Sequence, residues 1–459
     1  MRARIISLVD GVFIHIADGE YGQKGHNYLL AGIATGDFPV KLKQMMCAAA
    51  FFGCPLMFAQ GGHEAPLPTS LATLLTEAGA NNSQVAFADD AWKASAHAEE
   101  QATALPDPHI TFQSYSIGNP KPFAGFSNSE FAYVSFGASQ ELPYPGKLKL
   151  RGEVAHREME TQKAAVAVTR SSVAEQVKLL YLQIAYSTAA IAYLDRIDSL
   201  LQSVTKDTLS QYALGKGSQS AVIKAQMERT QILRQDTMHN QELWQAQARL
   251  KKLLHRTQDS PDIYPDPLTV TPFAIDPQEL QSQLRAGNPT LLVDASAVDK
   301  QKAQVASAKR GIKPDFNLGY AFQFTGDEYR NRYMFSADIR LPNRHRVEAE
   351  IAQAVEQETR ARHEMDSDVQ QKLADLQEQY IAVKSTAELL NEYKEGLIPQ
   401  AEAVFHSEQS AYQSNKQELG PVLSALLDIL TLESDYQQAL LDHEAALVRI
   451  ETLTGRTIR

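Results

Sequence analysis

The 459-residue chain has only two cysteines, Cys47 and Cys54, both inside its one long apolar run. A disulfide framework and a four-ligand zinc site are therefore excluded. Basic excess is also missing: 44 Lys and Arg against 55 Asp and Glu leave a net charge of −11. That balance argues against nucleic acid. The acidity reads either as plain solubility or as an attraction for cations. Catalytic constellations are absent as well. Gly215-Lys216-Gly217-Ser218 lacks the five-residue lead and preceding strand of a Walker loop. His97 opens no HExxH, and no serine lies in a GxSxG elbow. His239, His255, His363, His406 and His443 stand singly on helical segments. The expectation is a non-enzyme with no catalytic, cofactor-binding or metal residues and no cofactor. Beyond residue 59 no stretch reaches about 18 consecutive apolar residues, the length of a helical span. Membrane strands, whose signal is far weaker, are untouched by that test.

The apolar run itself, Met45 to Ala59, follows Lys41 and Lys43 and ends in a small residue. Its make-up is that of a secretory signal, with cleavage after Ala59 and lipidation at Cys54 as the runner-up. Residues 1–39 precede it without sustained periodicity, so translation is expected to begin near Val40. Residues 1–59 are thus read as an upstream extension and signal.

The rest of the chain says the same thing twice. Adding 200 carries Tyr212–Thr257 onto Tyr412–Thr457 without a gap: Lys216 meets Lys416, Val222 meets Val422, Ala225 meets Ala425, and Arg256 meets Arg456. Upstream, Val173, Val177, Leu180, Ile184, Ser187, Ile191, Leu194, Asp198 and Leu201 keep a 4-3 spacing. Val369, Leu373, Leu376, Tyr380, Val383, Ala387, Leu390, Lys394 and Leu397 repeat it at an offset of 196. Such a seam predicts a coiled coil. The change of offset from 196 to 200 predicts a four-residue stutter in the second copy. Asp198 and Lys394 interrupt the two seams and are expected to be solvated, with an oppositely charged match between them as the alternative. The expected units are 60–260, with strands at about 109–117 and 131–140 and helices at about 153–210 and 219–256, and 261–459. The second unit has strands at about 315–325 and 332–342 and helices at about 344–411 and 421–455. Neither unit can close a structure alone, which points to an assembled tube.

The strands carry a second pattern. Phe316, Leu318, Tyr320, Phe322 and Phe324 alternate with small or polar residues, and so do Tyr333, Phe335 and Ile339. Period two puts these eight on one face, the candidate lipid-facing set. About ten residues per strand suits a tilted membrane strand. A soluble hairpin lying on a core is the alternative, and Asp338 and Arg340 on the other face favour a wet interior. Four strands cannot close a barrel, so several chains would have to contribute.

The order strand, strand, long helix, turn, helix, given twice after a secretory signal, resembles the TolC family of outer-membrane efflux proteins over about 65–459. Ser139-Gln-Glu-Leu-Pro-Tyr-Pro-Gly-Lys-Leu is the most specific piece. It looks like the version in partners of metal-exporting and related resistance–nodulation–division pumps, and Asn288-Pro289 with Leu291 opens the second half in family style. The resemblance implies a mainly α fold with membrane β-barrel strands, built as an oligomeric tube. It further implies a homotrimer with a twelve-stranded barrel in the outer membrane and a helical tunnel in the periplasm. The tunnel would dock on a periplasmic adaptor and an inner-membrane pump and conduct metal or drug cargo passively. A periplasmic coiled-coil adaptor or structural protein without a pore is the alternative. The candidate tip or gate residues are Gly215, Lys216, Lys416 and Glu418. The paired acidic residues that narrow the family's entrance are replaced here by Pro421 and Ser424.

Overall fold

The computed structural model describes residues 69–116, 121–123, 132–325, 331–414 and 416–457. The signal, both cysteines, the turn after Thr325 and Asn415 lie outside the described residues. The first repeat comprises α1 (Leu71–Asn81), α2 (Ser83–Thr103), β1 (His109–Tyr115), β2 (Tyr133–Leu142), α3 (Lys147–Ala213) and α4 (Gln219–Leu253). The second comprises α5 (Pro277–Gly287), α6 (Pro289–Arg310), β3 (Asp315–Thr325), β4 (Asn331–Arg340), α7 (Arg344–Glu392), α8 (Ile398–Gln413) and α9 (Leu419–Thr454). At 67 residues α3 is roughly 100 Å long. An 18-residue window of it is apolar enough for a bilayer, but 44% of that window is buried against neighbouring helices. It is core.

The long helices are stable because their seams are buried on one another. In the first repeat Leu74 and Ala78 of α1 pack with Val173, Val177, Ala246 and Leu250. In the second, Leu280 and Leu284 of α5 pack with Leu376, Ala446 and Ile450. A third cluster joins the two hairpins toward their turns through Leu201, Val204, Ala225, Tyr412, Leu419 and Leu426.

The second repeat departs from the first just before the expected stutter. Between α7 and α8 the helix widens into a π turn over Tyr393–Leu397, closed by the Ile398 amide donating to Tyr393 O. Pro399 has no amide to give the carbonyl four residues back, and Gly396 lowers the cost of the altered backbone. α3 runs unbroken through the matching level. Lys394, in the π turn, is exposed. Asp198 is not solvated as expected: Arg229 of α4 donates to it from Nε at 2.7 Å and Nη2 at 3.3 Å.

The duplication extends into a feature that periodicity does not reveal. Asn82 caps α2, accepting from the amides of Gln84 and Val85 while its Nδ2 donates to Leu253 O at 2.9 Å. Asn288 caps α6 in the same manner and donates to Leu453 O at 2.9 Å. Each buried asparagine therefore ties the start of one helix to the end of the returning helix, two hundred residues apart in the pair of acceptors. The linker between repeats is strapped down rather than free. Gln247 exchanges two hydrogen bonds with the backbone of Ile263, at 2.7 and 3.0 Å. The Lys251 ammonium donates to Gln258 O, Ser260 O and Asp262. Buried Glu444 accepts the amide and hydroxyl of Thr271, and His443 Nε2 lies 3.0 Å from Thr271 O.

Replacing Asn82 or Asn288 with Ala removes a cap and orphans a buried carbonyl, so each should cost about 2 kcal/mol. Thermal unfolding in detergent would read this as a lowered midpoint; an unchanged midpoint in both variants would contradict the clamp.

Candidate functional site

The four strands form one antiparallel sheet in the order β1-β2-β3-β4. Its register puts Phe112, Phe136, Phe322 and Tyr333 in a single row across all four strands. The adjacent row on that face is Ile110, Ala138, Tyr320 and Phe335, and a lower one is Leu142, Phe316 and Ile339. Leu318 and Phe324 lie on this face too. The rings meet: Phe112 and Phe136 are 5.0 Å apart at their centroids, and Phe322 and Tyr333 5.6 Å. Such cross-strand aromatic pairs stabilise a sheet beyond simple burial. The opposite face reads Gly137, Ala321 and Met334, then Ser139, Gly319 and Ser336, then Glu141, Asn317 and Asp338. Phe335 is 72% exposed and Ile110 85% exposed in the single chain. Among the described residues no helix covers the apolar face, which is what a lipid-contacting sheet requires and a soluble one avoids. Among the described residues β1 and β4 are the edge strands of the sheet, each paired on one side only.

The Pro-Tyr-Pro-Gly-Lys phrase is the joint between sheet and helices. Gly146 caps α3 at φ 91°, a left-handed conformation that favours glycine. The Tyr144 amide donates to Asp315 Oδ1 at 2.9 Å, and Lys147 Nζ reaches both Asp315 oxygens at 2.8 and 2.9 Å. Arg310 donates to Pro145 O at 2.8 Å and sits over the Tyr144 ring. The two repeats are thereby locked together where strands become helices.

At the far end Gly215 adopts φ 72° with open space around it. Its amide donates to Tyr212 O at 2.9 Å and the Lys216 amide to Gln211 O at 2.9 Å, a Schellman stop. The Lys416 amide repeats the second bond, to Ala411 O at 3.0 Å. Lys216 and Lys416 are exposed at the two tips. Glu418 occupies the N-cap position of α9, and its side chain caps nothing. Sequence reasoning missed the contact that joins the hairpins here: Tyr412 Oη donates to Thr208 Oγ1 at 3.1 Å, in the buried cluster beneath the tips. Heptad spacing could flag that Tyr412 is buried; its partner is visible only in three dimensions.

Further up, the Arg229 guanidinium holds the Asp198 carboxyl below its ordinary value, against the opposing effect of burial. A depressed folded pKa stabilises above the unfolded value, about 3.9, and that contribution disappears as pH falls through the folded pKa. Asp198→Asn should therefore lower the unfolding midpoint near neutral pH, and the gap from the parent protein should shrink as the pH falls below the ordinary carboxylate range. A gap of the same size at neutral pH and below that range would refute the pairing.

Residues 280–456 match the family model described as outer membrane efflux protein. No curated protein matches the chain significantly. Among solved structures the chain is similar to the outer-membrane channel OprN, at 16% identity and a TM-score of 0.73, over 84% of this chain and 90% of that one. It is similar to CusC, at 16% identity and a TM-score of 0.71, over 85% and 93%. VceC from Vibrio cholerae gives 15% identity and a TM-score of 0.70, over 85% and 97%. The second repeat thus carries the match to the outer membrane efflux protein model, and both repeats together share the fold of these outer-membrane channels.

Proposed function

We propose that the chain is the outer-membrane exit duct of a tripartite efflux system, assembled as a homotrimer that conducts cargo passively. The observation that carries the proposal is the continuous apolar face across four strands whose two edges are open. In lipid every backbone N–H and C=O must be paired within the protein, so the edges of one chain have to meet those of others. Twelve strands from three copies close such a barrel, and the polar face then lines a wet lumen. The apolar set Phe316, Leu318, Tyr320, Phe322, Phe324, Tyr333, Phe335 and Ile339 contacts lipid in this arrangement. The long hairpins extend from the membrane into the periplasm, where they meet a periplasmic adaptor that links them to an inner-membrane pump. That pump supplies the energy. The duct opens at the tips, around Gly215, Lys216, Lys416 and Glu418, when the hairpins part.

A double variant, Lys216→Cys with Lys416→Cys, tests assembly and gating together. Oxidation should produce a denaturing-gel ladder that ends at three chains and should stop export, with reductant restoring both. Export that continues while the tips are crosslinked would contradict tip gating, and a ladder ending elsewhere would contradict the trimer.

A further inference from the structure

A hollow of about 630 Å³ lies where α3, α6 and α7 meet the ends of β3 and β4. Five cationic side chains line it: Lys147, Arg151, Lys313, Arg340 and Arg346. Asp315 and Glu350 are the only carboxylates among its lining residues, an excess of three positive charges in a chain whose overall charge is −11. Three of the cations are paired: Lys147 with Asp315, Arg346 with Glu350, and Arg340 with Glu141 at 3.0 Å. Arg151 and Lys313 are exposed and, among the described residues, belong to no ion pair. Arg151 acts on Asp315 through its field alone and Lys313 stands over the Tyr144 ring, so neither is neutralised by a direct carboxylate contact and the hollow stays electropositive.

The register says which side it faces. Asp315 and Arg340 are cross-strand partners, and their face is the one carrying Asn317, Asp338, Gly319 and Ser336, opposite the aromatic rows. A smaller hollow of about 240 Å³ shares Asp315 and Arg340 and adds Glu141 and Asp338. The polar face therefore turns from acidic between the strands to basic at the junction. A cleft lined by one sign of charge between low-dielectric walls concentrates the opposite ion.

We propose that this hollow is an anion site in the lumen, where the helical tunnel joins the barrel, and that it takes the phosphate or carboxylate group of a permeating solute. The proposal rests on the duct reading above and adds to it a cargo class. Each copy would contribute one such site, forming a basic collar. Arg151 and Lys313 supply the unpaired charge. An acidic chain read from composition favours cations; the collar points to anionic cargo or anionic groups on it.

The test is single-channel recording of the mature protein in planar bilayers of phosphatidylcholine, with inorganic phosphate added to a potassium chloride solution. Phosphate should reduce the current, and the half-blocking concentration should rise about tenfold in the Arg151→Gln/Lys313→Gln variant. Arg151→Lys/Lys313→Arg keeps both charges and should keep the block. Equal block in the parent and neutralised proteins would overturn the collar. Phosphatidylglycerol in the membrane separates the two sources of an oxyanion. If lipid headgroups reach the site, it abolishes the block by bulk phosphate; if only permeants do, the block persists. A parent protein giving no current would contradict the duct reading itself. Calorimetric titration of detergent-solubilised protein with phosphate would then still decide the site, since heat present in the parent and lost in the neutralised variant supports it, and equal heats refute it.

Discussion

A sheet that is greasy on one face and open at both edges cannot exist in lipid as a single copy. Everything else in this chain follows from that constraint. In the proposed duct the backbone groups of β1 and β4 need partners that water does not supply, and the edges of further copies would provide them. In that arrangement the long hairpins would come together as a consequence of barrel closure, and the tunnel would take its axis from the barrel.

The junction between the two parts is correspondingly stiff. Asp315 gathers the Tyr144 amide and the Lys147 ammonium, bringing the start of β3 against the start of α3. Those residues come from different repeats, so neither strand pair can tilt independently. Below it, Asn82 and Asn288 bind the short helices to the ends of α4 and α9, and the linker is held by Gln247, Lys251 and Glu444. The distal hairpins carry none of these particular ties. There the two repeats differ: α3 is continuous and braced by Asp198 and Arg229, whereas the second repeat has a π turn at the same level.

Much of this architecture is legible in the residues. The fold class follows from period two beside period 3.5 in a duplicated chain, because each periodicity reports a buried or lipid-facing side chain directly. The stutter is visible as a change of offset, whereas the π turn just before it is foreshadowed only by Gly396 and Pro399 read together. Polar contacts are another matter. Asn82 looks like any loop residue, and Glu444 and Glu451 look like charges on a solvated helix face. Each is buried by partners far away in sequence, and no local pattern records them. The aromatic row through Phe112, Phe136, Phe322 and Tyr333 is half visible: alternation marks its members within a strand, while the register that aligns them is set by long-range pairing. The basic collar is invisible for the same reason, since its cations are scattered over 200 residues of a net acidic chain.

Native mass measurement of the protein extracted from membranes tests the central claim most directly. The account predicts a particle that leaves the membrane only with detergent and contains three chains. A monomer that stays in solution without detergent would contradict it.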